Sequence, residues 1–189
     1  MSSARKDPVE KPIIQLRITL DDVLPAVWRR LLVPGDIRLS DLHAVFQVAM
    51  GWTDSHLHSF SIGSKVFGAQ YEDHPKEELD EKSVTLVEAL GDLRRFHYAY
   101  DFGDDWQHEI VIEDQSMSIA GLKFAVCLDG QRACPLEDCG GAWGYVHLLE
   151  VLSDPDHEEF DDMTEWIGDY FDPELCDLSE INVALQRFG

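Results

Sequence analysis

Along the first half of the chain, apolar and polar positions follow two different periods. Ile14, Leu16, Ile18 and Leu20 alternate with Gln15, Arg17 and Thr19, the period of two expected of a half-buried strand. Asp21 to Pro25 reads as a turn, and the apolar run Val27 to Val33, ended by Pro34 and Gly35, suits an antiparallel partner for that strand. Leu42, Val45, Phe46, Ala49 and Met50 then recur at helical spacing, with Ser40 placed to cap the helix and Gly51 to stop it. His56 to Ile62 and Lys65 to Phe67 predict a hairpin across Gly63 and Ser64, followed by a polar excursion from Tyr71 to Lys82. Thr85 and Glu88 have the spacing of a capping box on a short helix. In the clearest hairpin, Phe96, Tyr98, Tyr100 and Phe102 alternate with polar or small residues, Gly103-Asp104-Asp105 turns the chain, and Trp106, His108, Ile110 and Ile112 alternate again. Pairing Phe102 with Trp106 would set His108 opposite Tyr100 and bury all eight residues on one face.

After Gly121 the character changes to a segment rich in Cys, Gly and Pro, Cys127 to Gly144, and then to three helical patterns. The first presents Tyr145, Leu148, Leu149 and Leu152 before Pro155; the second presents Phe160, Met163, Ile167 and Tyr170 before Pro173; the third has Asp177 as its cap and Glu180 three residues later. There is no internal repeat and no low-complexity linker. The expected fold is a single α+β domain over residues 13–189, a ββαβ-type mixed or antiparallel sheet with C-terminal helices packed on it, and residues 1–12 are expected to form a mobile lead-in.

Composition adds a polarity to this picture. The 189 residues carry 15 Lys and Arg against 37 Asp and Glu, a net charge of −22. The first 70 residues are almost neutral, with 8 basic and 7 acidic side chains, while residues 71–189 hold 7 and 30. Between Arg132 and Arg187 there is no Lys or Arg at all against 15 acids. Such a run reads first as a solvated face that keeps the protein soluble, and in its sharper reading as a docking surface for a basic protein partner at the acidic C-terminal third or a DNA-mimicking face; it repels phosphate backbones, so direct nucleic-acid binding is not expected. The polar start, Met1 to Pro12, has no apolar core of a secretory signal, and the longest uncharged stretch, Leu42 to Thr53, is 12 residues, short of the roughly 17 a membrane-spanning helix requires. A cytoplasmic location follows as an expectation, and with it Cys127, Cys134, Cys139 and Cys176 as reduced thiols or metal ligands.

The chemistry concentrates in the cysteine loop. Cys127, Cys134 and Cys139 place three thiols in 13 residues of glycine- and proline-containing chain, and zinc requires thiolate or imidazole ligands that converge tetrahedrally. His108 from the preceding hairpin is the expected fourth ligand, with His56 or His58 as substitutes. The competing readings are buried thiols acting as small apolar residues, a core His108 hydrogen-bonded to Tyr100 or to backbone, and a His56-x-His58 pair that only packs. Asp101-Phe102-Gly103 matches the kinase magnesium tripeptide but stands alone in a hairpin turn. Asp154, Asp156, Glu158, Asp162 and Glu165 have calcium-loop spacing, interrupted by Pro155 and by Glu159 where glycine is needed. Gly140 to Gly144 could present amides to an anion, but Glu137 and Asp138 beside it oppose phosphate. No P-loop, GxSxG or HExxH occurs.

Four ordered blocks, ITLDDVLPAVWRRLLVP, LHAVFQVAMGWTDSHLHSFSIG, YAYDFGDDWQHEIVIE and CLDGQRACPLEDCGGAWGYVHLLEVLSDPDHEEF, resemble the plasmid pRi ORF-three-like family from about Ile13 to Phe188. The resemblance implies a passenger protein of plasmids and insertion elements, some of whose relatives carry resolvase-like labels. No recombinase serine or tyrosine motif and no basic DNA-reading helix accompanies it here. The family pattern dwells on Trp28, Arg29, Arg30, Gly51, Trp52, His56, His58, Asp101, Gly103, Asp104, Trp106 and His108, and on Cys134, Pro135, Asp138, Cys139, Gly140, Gly141, Gly144 and Tyr145, with Leu136 where relatives commonly have a second proline. The expected function is a non-enzymatic protein-binding or adaptor module, with a structural zinc on Cys127, Cys134, Cys139 and His108. The alternative is an enzyme of unassigned reaction built from His56, His58, His108, Asp104, Cys134 and Cys139.

Overall fold

The strict alternation that opens the chain becomes β1 (Ile13–Leu20), paired antiparallel with β2 (Trp28–Pro34) in the register Leu16 with Leu31 and Ile18 with Arg29. The computed structural model describes residues 12–70, 78–117, 122, 124–168 and 171–187, so the lead-in expected at residues 1–12 lies, apart from Pro12, outside the described residues. Helix α1 (Leu39–Met50) follows, then β3 (His58–Ile62) and β4 (Lys65–Gly68), which form the expected hairpin. A two-residue strand β5 (Leu79–Asp80) and a short helix α2 (Leu86–Leu90) lead to the long hairpin β6 (Arg95–Tyr100) and β7 (Trp106–Met117). Strand β8 (Val126–Gln131) and helices α3 (Gly141–Ser153), α4 (Phe160–Ile167) and α5 (Leu178–Leu185) complete the chain.

All eight strands join one sheet in the order β5-β4-β3-β6-β7-β1-β2-β8. Neighbours are antiparallel except for the short β4–β5 pair, so the sheet is mixed, as the single-domain α+β reading requires. One face of β1, β6 and β7 is apolar and buried, and residues of α1, α3 and α5 complete the same core. The other face near β1 and β2 is polar. There Arg17 and Arg30 lie over the Trp28 ring at 4.4 and 5.3 Å, and Arg30 pairs with Glu113 and Asp129. A sheet covered on one side needs only period-two patterning, which is why its strands were legible as such.

Three local readings change. Helix α1 begins at Leu39 with Arg38 as its cap residue and no side-chain cap, so Ser40 sits inside the first turn; Gly51 does end the helix, at φ 91°. In the long hairpin Tyr100 pairs with Trp106 and Tyr98 with His108, two residues short of the expected register. Asp101 takes a left-handed conformation and its carbonyl accepts from the Asp105 amide at 2.6 Å, which ends the strand early and leaves Phe102 half exposed in the loop. Third, Cys127 does not lie in a loop: Val126 to Gln131 pairs with β2 as an edge strand. The capping box is present, with the Thr85 amide and hydroxyl both donating to Glu88.

Buried Arg29 fastens this edge. Its Nε donates to the Ala49 carbonyl at the end of α1, where a cation also favours the helix dipole, and its Nη1 donates to the carbonyls of Trp28 and Gln131. The loop that follows β8 turns back over the sheet, and two glycines let it close. A Cβ at Gly144 would stand 1.9 Å from the Cys139 carbonyl oxygen, and one at Gly141, where φ is +69°, would stand 2.4 Å from that of Asp104. Replacing Gly144 with Ala should therefore destabilise the fold by about 1–3 kcal/mol, the usual range for overpacking, read as a lower urea midpoint at unchanged slope. An unaltered midpoint would show that the loop does not need this close approach.

Candidate functional site

Trp52 follows the glycine stop of α1 and goes inward. Its indole stacks on Tyr100 at 4.8 Å, meets the His108 ring edge-on at 5.2 Å, and donates from Nε1 to the Pro135 carbonyl at 3.1 Å. One side chain thus ties the α1–β3 connection, the hairpin face and the Cys134–Cys139 loop together. The next few residues, Thr53 to His56, run along the rim of that junction.

There His56 faces three carboxylates. Its Nε2 lies 3.4 Å from Asp138 Oδ1, 3.5 Å from Glu137 Oε2 and 3.6 Å from Asp101 Oδ2, yet makes no hydrogen bond and has almost no exposed surface. Each acid comes from a different tether. Asp101 is buried in the hairpin turn, its Oδ1 accepting from the Gly103 amide at 2.9 Å. Glu137 Oε1 accepts from the Thr53 amide and hydroxyl and from the Tyr100 hydroxyl. Asp138 is three-quarters exposed and has a left-handed backbone. Burial, reinforced by Glu137, pushes the Tyr100 hydroxyl far above its usual pKa, so it is a fixed donor. Asp104 Oδ2, for its part, accepts from the Gly140 amide and joins the hairpin turn to the loop.

A second group lies deeper. Gln47 Nε2 donates to the Tyr98 hydroxyl, which stands 2.7 Å from His43 Nδ1; His43 Nε2 is 2.8 Å from Asp54 Oδ1, and the Asp54 amide donates back to Gln47. This closed ring of bonds makes His43 a neutral donor to Asp54, in line with its lowered pKa, which burial and then the neighbouring His58 cause. His58 stacks on His43 at 3.4 Å and 6° and pairs through Nε2 with buried Glu81 at 2.7 Å. Among the described residues, His43 with Asp54 and His58, and His56 with Asp101 and Asp138, are the two sets whose ligand atoms all lie within 4.8 Å. In the first set the nitrogens already have partners and the parallel rings do not aim at a common point. The second set is the one with an unpaired nitrogen.

The sequence-predicted ligands do not assemble. No three of Cys127, Cys134, Cys139 and His108 come within that distance among the described residues. Cys127 on β8 and His108 on β7 are separated by β1 and β2, about 14 Å at ~4.8 Å per strand. Cys127 Sγ instead donates to the Asp129 carbonyl, and Cys134 is wholly enclosed near Arg29. His108 is fully buried, with Nδ1 3.1 Å from the Tyr98 carbonyl, the core-histidine alternative with a backbone partner. His58 is likewise a core residue, whereas His56 does reach a site. Asp101, Glu137 and Asp138 were missed as possible ligands, because Asp101 read as a turn residue and Glu137-Asp138 only as a repulsive neighbour of the glycines. The available signals were that the family pattern dwells on Asp101 and Asp138 and that Glu137-Asp138 borders the predicted ligand Cys139.

A one-sided α+β sheet whose titratable groups converge where the loop of residues 132–140 meets the hairpin defines the class of protein. The chain belongs to the plasmid pRiA4b ORF-3-like protein family, whose pattern it matches over residues 12–180. It is 41% identical over 176 residues to the uncharacterized protein y4hQ of Sinorhizobium fredii (strain NBRC 101917 / NGR234), covering 92% of this chain and 90% of that protein. It also superposes on the crystal structure of protein of unknown function MM3350 from Methanosarcina mazei Go1 with a TM-score of 0.84 at 34% identity, covering 90% of this chain and 97% of that one.

Burial holds His108 neutral and lowers its pKa to about 4. Because its folded pKa lies below the unfolded value near 6.5, the unfolded chain takes up the proton first; this contribution is complete above pH 6.5 and is lost as the pH falls toward 4. The parent should lose about 2 kcal/mol more stability between pH 7 and pH 4.5 than His108→Gln, measured by urea unfolding. Parallel pH profiles for the two proteins would show that neutral His108 is not the source.

Proposed function

We propose that this protein is a non-enzymatic binding module that takes up a basic segment of a protein partner on the face formed by α3 and α4. The observation that carries this is a pair of exposed indoles in a stretch without a single cation. Trp143, in the first turn of α3, is 90% exposed, and Trp166, on α4, is half exposed, while no described residue of α4 is buried. Trp166 also lines a cavity of about 280 Å³ with Asp138, Gly144, His147, Leu148 and Met163, next in sequence to Trp143 at Gly144. Large exposed apolar groups set among acids are the surface that a Lys or Arg side chain recognises, the stem lying on the ring and the charge meeting carboxylates. The net charge of −22 adds long-range attraction for such a partner and repulsion for nucleic acid.

The raised thiols weigh against the alternative of a cysteine enzyme. Burial pushes Cys127 up to about 11 and Cys139 up to about 12, Cys134 higher still, and Cys176 in the same direction, so thiolate is scarce at neutral pH. No helix among the described residues is long and apolar enough to cross a membrane.

Tryptophan emission titrated with a short lysine- and arginine-rich peptide tests the reading, with a glutamate-rich peptide of equal length as control. Saturable binding that weakens with added salt is expected, and Trp143→Ala and Trp166→Ala should each weaken it about two- to fivefold, the ~0.5–1 kcal/mol of an exposed cation–π contact. Equal binding of the control peptide, or indifference to both substitutions, overturns it.

A further inference from the structure

We propose a divalent transition-metal site, with zinc as its first choice, held by His56 Nε2, Asp101 Oδ2 and Asp138 Oδ1 at the junction of the α1–β3 connection, the β6–β7 turn and the loop after β8. It shares Asp138 with the edge of the proposed partner surface and uses none of the cysteines.

Four observations converge on it. The first is the unsatisfied imidazole nitrogen. Covered from solvent and unbonded, His56 Nε2 has lost its water hydrogen bond without gaining another, the kind of buried polar atom that native structures seldom leave alone. The second is spacing. Tetrahedral bonds of ~2.1 Å put neighbouring ligand atoms about 3.4 Å apart, and the imidazole-to-carboxylate separations here are 3.4 to 3.6 Å, too long for good hydrogen bonds and right for an ion between them.

Charge is the third. Three carboxylates surround one imidazole, and among the described residues no Lys or Arg forms an ion pair with Asp101, Glu137 or Asp138. Asp101 is buried, and a buried carboxylate needs a compensating cation. A protonated His56 supplies one positive charge to three negative ones; a divalent ion beside a neutral imidazole supplies two.

The fourth is the way the donors are held. The far oxygen of Asp101 is occupied by the Gly103 amide, which leaves the near one facing His56. Glu137 is anchored by Thr53 and by the Tyr100 hydroxyl while its Oε2 closes the third side, positioned to accept from a metal-bound water. Hydrogen bonds that orient ligands from behind in this manner are the usual support of metal sites. One imidazole with carboxylates suits zinc and, less tightly, manganese, and three protein ligands leave a coordination position for water on the side of exposed Asp138.

The full-length chain, stripped with chelator and dialysed, is titrated calorimetrically with zinc and separately with manganese, and cobalt absorption reports the coordination geometry. The expected result is one zinc per chain, tetrahedral cobalt bands, and a melting temperature raised by zinc. His56→Gln, Asp101→Asn and Asp138→Asn should each weaken zinc by tenfold or more, and Cys134→Ser with Cys139→Ser should leave it unchanged. Asp138 is exposed, so Asp138→Asn will fold even where a change at buried Asp101 does not. Substoichiometric zinc with no thermal shift overturns the proposal in favour of a plain ion-pair network around His56. Stoichiometric zinc that survives Asp138→Asn and His56→Gln, or is lost only with the cysteines, overturns it in favour of another site.

Discussion

The structure depends on where Trp52 goes. Most of its indole lies against Tyr100, Trp106 and His108 on the buried face of the β6–β7 hairpin, and its one polar atom is satisfied by the Pro135 carbonyl. A buried tryptophan of this size contributes a large share of local packing energy, and its N–H requires a partner once water is gone. Meeting both demands draws a loop some 80 residues distant in sequence onto the sheet. That contact is reinforced by Thr53, whose amide and hydroxyl donate to Glu137, so the α1–β3 connection and the loop carrying Glu137 and Asp138 meet beside His56.

The same junction explains how polar chemistry is tolerated beside an aromatic core. Gln47, Tyr98, His43 and Asp54 close a ring of hydrogen bonds, and His58 has Glu81 as its partner. These groups are satisfied by one another and so act as structure. His56, two residues after Asp54 and on the outer rim, is left unsatisfied at Nε2, and the difference between the two histidine groups is a difference in partners rather than in depth alone. Membership of the plasmid pRiA4b ORF-3-like family, with relatives whose function is unknown, leaves such contrasts within the molecule as the guide to its chemistry.

The charge of the chain is distributed to match this division. The nearly neutral N-terminal part contributes β1 to β4 and α1, whose apolar residues join one core, whereas α3 holds a single acid, Glu150, and the acids of the C-terminal third gather on α4 and the connections on either side of it. Solvated carboxylates cost little there. Trp143 and Trp166 stand out against that background because among the described residues the first is almost bare and the second half exposed.

Much of the fold was written in local pattern. Period-two alternation marked β1, β6 and β7, an apolar run ended by Pro34 and Gly35 marked β2, glycine after Met50 marked the end of α1, the Thr85–Glu88 spacing marked the cap of α2, and Asp177 marked the start of α5, because each rests on interactions within a few residues or on which face of one strand is wet. The register of the long hairpin was not legible, since it turned on a single left-handed residue, Asp101, that shortened β6. Nor was the site. The sequence determined which residues could be ligands, and it drew attention to cysteines because they cluster along the chain; sheet order then put Cys127 and His108 two strands apart, and Trp52 brought His56, Asp101, Glu137 and Asp138 together from three separate segments. Proximity in sequence is a local property, whereas convergence of ligand atoms depends on long-range packing that only the tertiary structure decides.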